Sequence, residues 1–377
     1  MQTQYYRLLA GAIAISLLVL GGCNSSSSSS TSSSSESSTS SEDALDTTAD
    51  TSTETSDSSA DSTETASATE AIDLNNFVTG ALKSDPVIVD CTLSDGTETS
   101  CYQITTTGAP AGQTPGPFCP ETIYDNGADS SGMWFYENGV DGIVELTGSF
   151  IQDLAVTYND TNWQVYDPTT GNVRITDTQV ACEAAAQPNV ADEYNNYCVQ
   201  CEMEYLEDGV LSATYLIPVT PIPADVTGLV SQVGIALNGT ELSAPAPVDD
   251  ILSNYTIAAF DDCGGHINTH QGYHYHAATD CAAVGTQDDG HSALLGYALD
   301  GYGIYAMKDS DGNEAEGLDE CRGITDDVRG YHYHAASPGE NMFVGCFHGK
   351  TVASTDAAGP ADGEPPAGGP PTGTAPE

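Results

Sequence analysis

The sequence predicts a mostly β fold: a disulfide-stapled, β-rich globular region between disordered tails, with an internally duplicated C-terminal part. Three observations carry that prediction. From Phe77 to about Tyr255, short runs of β-branched and aromatic residues alternate with Asn-Gly, Asp-Gly and Thr-Gly turn signals. The chain has 11 cysteines. The heptapeptide GYHYHAA is written twice, at Gly272–Ala278 and Gly330–Ala336.

The N-terminus reads as a targeting segment. Arg7 is followed by an apolar run from Leu8 to Leu20, too short for a membrane span but suited to the h-region of a secretory signal. The run ends in Leu20-Gly21-Gly22-Cys23, which resembles a bacterial lipoprotein signal. That resemblance implies removal of residues 1–22, lipid (palmitate included) on Cys23, and a membrane anchor. Asn24 is not the aspartate of inner-membrane retention, so the expected location is the outer membrane, facing the periplasm or the surface.

Residues 23–70 are almost entirely Ser, Thr, Ala, Asp and Glu and cannot bury enough apolar surface to offset their ordering entropy. As a coil they form a tether with ends roughly 40 Å apart. Residues 350–377, rich in Gly, Pro and Ala, form a second disordered tail. Between them lie a β-rich N-terminal region, 71–214, and a distinct C-terminal domain, 215–349.

Charge narrows the function classes. The net charge is −48 with only 7 basic residues, so nothing can neutralise the phosphates of nucleic acid. The acidic field concentrates cations, favours solubility and suits a salty medium. With Cys23 lipidated an even number of cysteines remains, which in an exported chain points to five disulfides. Cys91 and Cys101 flank the turn signal Asp95-Gly96, as in a cross-hairpin bridge. Cys198-Val-Gln-Cys201 is a CxxC, but its flanks show no strand-then-helix pattern and no basic residue to lower a thiol pKa. Structural bridges to Cys119 or Cys182 are expected instead.

Within the N-terminal region, PVIVDCTL, GIVELTGSF, AVTY, WQVYD and NVRITDTQV read as strands, and the one helical candidate is Ala181–Gln187, stopped by Pro188. All eight histidines lie between His266 and His348. Around GYHYHAA the repeat is longer than seven residues. Asp262-Cys263-Gly264-Gly265 and Glu320-Cys321-Arg322-Gly323 precede the two copies at the same offset of 58. A second cysteine follows each copy, predicting Cys263–Cys281 and Cys321–Cys346 bridges, each contributing about 3 kcal/mol through loop closure. Between the copies, Leu294–Leu299 and Tyr302–Met307 flank Asp300-Gly301, a hairpin expected at the centre of the repeat pair. Asp309–Glu320 has acids at positions 1, 3 and 12 of a calcium loop, yet its glycine stands at position 4 rather than 6, so a solvated turn is the default over calcium.

The segment from VGIALNGTEL through DDCGGHINTHQGYHYHAATDC and HSALLGYALDGYGIYA to GCFHG resembles the bacterial YHYH protein family, specifically from about Tyr215 to Gly349. The resemblance implies an exported domain of no assigned activity. The second copy has Ile324 where the first has His266, so the copies are not chemically identical.

On a strand, Tyr-His-Tyr-His sends both imidazoles to one face and both phenols to the other. If the copies occupy neighbouring strands, His274, His276, His332 and His334 form one cluster. Imidazole in an oxidising compartment suits copper or zinc. His266, His291, His348 or Asp300 would complete or orient such a site. A second reading makes the Tyr/His alternation a structural hydrogen-bond network. A third is a metal-dependent hydrolase or oxidase, with His paired to Asp300 or Asp262, although no nucleophile elbow, HExxH or P-loop is present and Ser292 beside His291 has no visible third partner. A surface role toward a protein or polysaccharide is compatible with the many tyrosines and names no ligand.

Overall fold

The computed structural model describes residues 72–353, apart from 128, 188, 189, 230, 280, 282–286 and 288. The signal segment, Cys23, the tether and nearly all of the C-terminal tail lie outside the described residues. The described chain is mostly β, in several sheets.

The N-terminal region begins with the hairpin β1 (Val87–Thr92) and β2 (Glu98–Thr105), turned at Asp95-Gly96 and bridged by Cys91–Cys101. A second hairpin comes next, β3 (Met133–Val140) and β4 (Ile143–Glu145). The strand expected over GIVELTGSF stops there. From Gly148 to Thr157 the chain is helix α1, so AVTY is its last turn rather than a strand. Thr147 caps it by accepting the Phe150 N–H at 3.2 Å, and Ile151 and Leu154, one turn apart, are buried beneath it. WQVYD and the first part of NVRITDTQV make only isolated bridges, such as Tyr166 with Val173, and the last two residues of the latter, Gln179 and Val180, are helical. Helix α2 spans Gln179–Ala185, and Thr178 caps it by accepting from Ala181. Its Cys182 is bridged to Cys201, while Cys198 is bridged to Cys119. The CxxC is therefore a strap held at both ends, with β5 (Cys198–Val199) inside it.

The next elements tie this region to the rest of the chain. Strand β6 (Thr214–Pro218) completes the β1–β2 sheet, and β7 (Pro223–Thr227) pairs with the last strand of the chain, β17 (Phe347–Gly349). Then come β8 (Gln232–Ala236), β9 (Glu241–Ser243), helix α3 (Val248–Ser253) and β10 (Ile257–Ala258), which pairs in parallel with β5. One hydrophobic core runs without a break from Phe118 and Trp134 through Phe260 and Tyr275 to Phe343 and Phe347.

The duplicated part adds β11 (Gly265–Asn268), β12 (Gly272–Tyr275), β13 (Leu294–Ala298), β14 (Gly303–Tyr305), β15 (Gly323–Asp326) and β16 (Gly330–His334). Together these make an eight-stranded sheet in the order β11-β12-β9-β8-β13-β14-β16-β15. From the centre outward each half is antiparallel, parallel, antiparallel. The duplication therefore reaches further than the offset of 58 reveals. The hairpin at Asp300-Gly301 is not the centre of the repeat but the opening of its second half, and its counterpart is β8–β9, turned at Asn238-Gly239.

The centre is the seam between β8 and β13. Gly296 faces Ala236, Ala298 faces Gly234, and Ile235 faces its own counterpart Tyr297. Two backbone bonds across the seam are reciprocal: Leu237 donates to Leu295 and Leu299 donates to Val233, at 2.8 and 2.9 Å. This is the self-complementary pattern of a twofold axis, here inside one chain. Glycine is required at the crossing, because a Cβ on Gly296 would lie 2.1 Å from the Ile235 carbonyl oxygen and one on Gly234 would lie 2.3 Å from that of Tyr297.

Candidate metal centre

Four strands separate β12 from β16, so the two YHYH copies are not neighbours and their four histidines do not form one cluster. Each copy instead recruits a third histidine. His266, His274 and His276 form one triad, and His291, His332 and His334 form the other. Within each triad one ligand nitrogen per ring lies within 4.8 Å of the others.

In the first triad His266 stands directly across the β11–β12 ladder from His274. His274 and His276, two apart, share a face as strand alternation requires. The Nδ1–H of His274 donates to the Gly272 carbonyl at 3.0 Å, and that of His276 to the Ala244 carbonyl at 2.8 Å. A carbonyl can only accept, so these bonds place the proton on Nδ1 and turn the Nε2 lone pair inward. The Nε2 atoms of His266 and His274 are 3.0 Å apart. The second triad repeats the arrangement. His332 donates to the Gly330 carbonyl at 3.0 Å and His334 to that of Ala306 at 3.2 Å. His291 and His332 bring their Nε2 atoms to 3.1 Å, and the buried Nε2 of His334 has no hydrogen-bond partner among the described residues.

The third histidine has a different origin in each half. Ile324, across the ladder from His332, holds the position that His266 holds in the first half, and it lines the second cavity. His291 enters from the segment leading into β13, its Nδ1 against the Ser292 carbonyl at 3.1 Å. That segment is pinned: Asp289 accepts the His291 backbone N–H at 3.1 Å and is paired with buried Arg329 at 2.5 Å, which also holds Asp326 at 2.9 Å.

Burial makes the rings of His266, His274, His276, His332 and His334 reluctant to protonate, and for all but His276 neighbouring imidazoles add to it. Burial and neighbouring His276 bring His274 down to about 3, burial brings His276 and His334 down to about 4, and His266 is held well below the ordinary value. Neutral rings with convergent lone pairs are what a transition metal needs. Metal–nitrogen bonds of about 2.0–2.1 Å at tetrahedral angles place ligand nitrogens about 3.3 Å apart, close to the shortest separations in both triads.

The phenols do the complementary work. Tyr273 donates to Asp261 at 2.7 Å, and Tyr331 to Asp319 at 2.9 Å. Each of these aspartates also accepts the backbone N–H of the repeat cysteine and of the glycine two residues on. The residues that matter are thus one position before Asp262 and Glu320; Asp262 itself is exposed. The residue that opens each hairpin turn, Asn238 or Asp300, holds the second tyrosine: Asn238 donates to the Tyr275 hydroxyl at 2.8 Å, and Asp300 accepts from Tyr333 at 2.5 Å. Asp300 therefore orients a phenol rather than a histidine. His348 stacks on Tyr331 with centroids 3.8 Å apart, and His270 is exposed; neither joins a triad. Cys263–Cys281 and Cys321–Cys346 close the two repeat units. In the would-be calcium loop, Asp309 accepts the N–H groups of Asp311 and Asn313 at 2.9 and 2.8 Å, the pattern of a local turn.

The family model described as YHYH protein matches residues 214–316. The chain carries a YHYH domain. The match takes in the first YHYH copy and the hairpin that opens the second half, while the second copy of the motif lies beyond it. No curated protein and no solved structure matches the chain. Five disulfides accompany the YHYH domain, as in an exported protein, and among the described residues no helix is long and apolar enough to cross a membrane.

Proposed function

We propose that the YHYH domain binds two transition-metal ions, copper or zinc, one in each histidine triad. The carrying observation is the division of labour within each ring: Nδ1 of the four motif histidines is bonded to a backbone carbonyl, and Nε2 is left for the convergent side. A structural hydrogen-bond role accounts for the tyrosines, but it does not require a third histidine in each half or an unpartnered buried Nε2 on His334. Three imidazoles leave a fourth coordination position open, which is the arrangement of metal centres that handle exogenous molecules. The lipoprotein-like ending at Cys23 supports the further reading that the domain is tethered to the outer membrane.

The test is metal analysis of the purified chain after chelation, reloading and desalting. The expected result is two ions per chain, one in His274→Ala, one in His332→Ala and none in the double variant. Less than one ion per several wild-type chains sinks the reading. For the anchor, wild type should take up labelled palmitate and Cys23→Ser should not.

A further inference from the structure

The two triads open into unlike surroundings. The second faces a cavity of about 420 Å³ whose rim includes Asp289, Asp309, Glu314, Glu316 and Asp326. The first lies at the end of a smaller cavity of about 240 Å³, roofed by parts of the N-terminal region: Phe118, the end of α2 at Ala185 and Ala186, and the disulfide-held strap at Val199. The YHYH side supplies Ala246, Ile251 and Ala258, with His266, His274 and His276 at the base. No Asp, Glu, Lys or Arg is among its described lining residues.

The polar side chains in that wall are already engaged with protein. Gln271 donates to Glu241 and to Ser243. Gln200 accepts from the Cys119 N–H at 3.0 Å and donates to Glu202 at 2.8 Å. Thr256 donates to the Ile251 carbonyl at 2.8 Å, and Gln187 to that of Ala184 at 3.1 Å. Among the buried polar side chains described in the wall, those left to meet an occupant are the imidazoles. An apolar cavity of about 150 Å³ takes benzene, so this one has room for a substituted ring.

From this we infer that the cavity above His266, His274 and His276 is a ligand pocket. Its occupant is a ring-sized, largely apolar molecule that presents one nitrogen or oxygen donor to the bound metal and carries no charge away from that donor; the inference rests on the metal reading above. A cation would be repelled by the metal, and a charge remote from the donor atom would lie unpaired among apolar side chains, at a cost of several kcal/mol. The second triad, open and ringed by carboxylates, carries no such selectivity.

The experiment uses the full chain in two forms, each with one working triad: His291→Ala with His332→Ala, and His274→Ala with His276→Ala. Each is loaded with copper(II) and titrated with imidazole and with 4-phenylimidazole, followed by electron paramagnetic resonance. Burying the extra ring should make 4-phenylimidazole about tenfold tighter or better at the first triad and no tighter at the second. Ala186→Phe, at the half-buried rim, should bring the first-triad ratio to about one with copper content unchanged. Equal binding of the two azoles at the first triad overturns the inference. A metal-free arm separates it from the metal reading. Toluene should raise the melting temperature of the metal-free chain and fail to do so in Ala186→Phe. If copper does not bind but toluene still stabilises in this way, the apolar pocket stands and the metal reading falls. Failure of both arms removes the pocket as well.

Discussion

Within the motif, chemistry divides by parity of position. The phenols anchor each unit to its aspartates and turn residues, while the imidazoles are held with one nitrogen on a carbonyl and the other pointing inward. Donor and acceptor roles even reverse between halves. The Tyr275 hydroxyl accepts from Asn238 and donates to Gln113 at 2.6 Å, whereas that of Tyr333 accepts the His348 N–H at 2.7 Å and donates to Asp300. Asp300 also takes the Gly349 N–H at 2.9 Å. Asp300 takes the Tyr302 N–H as well, at 3.4 Å, so replacing it by alanine strands three buried donors; Asp300→Ala should lower unfolding free energy by about 2–4 kcal/mol, and denaturant melts should show Asp300→Asn to be milder. Arg329 acts on the second triad through Asp289. Arg329→Gln should weaken metal binding there by roughly 10- to 100-fold, read by competition with a chelator, and leave the first triad unchanged. The buried rings also give the metal-free chain a pH dependence. In the unfolded chain they protonate near 6.5, but folded His274 resists to about 3 and His276 and His334 to about 4. As pH falls below 6.5 the unfolded state binds more protons, so stability drops from there toward about pH 4. Thermal melts across that window should show a shallower slope for His276→Gln and His334→Gln than for wild type. The motif histidines were legible in the sequence because they repeat. Asp261 and Asp319 carry the same signal, an identical residue at the offset of 58, but each stands beside a second acid that adjoins the cysteine, and spacing alone does not say which of the two acids turns inward to the tyrosine.

At the scale of elements, what periodicity carries well was legible: the β1–β2 hairpin, the hairpin at Asp300-Gly301 and the two YHYH strands. Helix α1 was not, because its β-branched residues imitate a strand, and only the Thr147 cap with the spacing of Phe150, Ile151 and Leu154 betrays it. The full repeat was hidden for a geometric reason. Strand β8 is related to β13 by an offset of 62, but the YHYH strands by 58, since the first half holds α3 and β10 in a longer connection before its motif. No local signal could reveal that β9, β8, β13 and β14 intervene between the two motifs, because strand order is a long-range property. The seam makes its own prediction. Gly296→Ala drives a Cβ into backbone on the facing strand, which cannot yield as a flexible side chain would. It should cost at least about 1–3 kcal/mol and, by separating the halves, weaken both triads together. Paired denaturation and metal titrations would register this.

For the whole molecule, the N-terminal region and the YHYH domain share one core and are cross-tied by β2–β6 and β5–β10. The roof over the first triad comes from one and its base from the other. A net charge of −48 bears on this assembly as self-repulsion, relieved by screening. The melting temperature should therefore rise from low salt to about 1 M sodium chloride. A fall would mean that the few ion pairs, such as Arg329 with Asp289 and Asp326, outweigh the repulsion.

The twofold seam also makes the third ligand portable. His266 reaches its triad from across a ladder, and Ile324 occupies the same rung opposite His332. Moving the imidazole, by Ile324→His in a His291→Ala background, should rebuild the second triad on the plan of the first. One half of the chain would then serve as the blueprint for repairing the other.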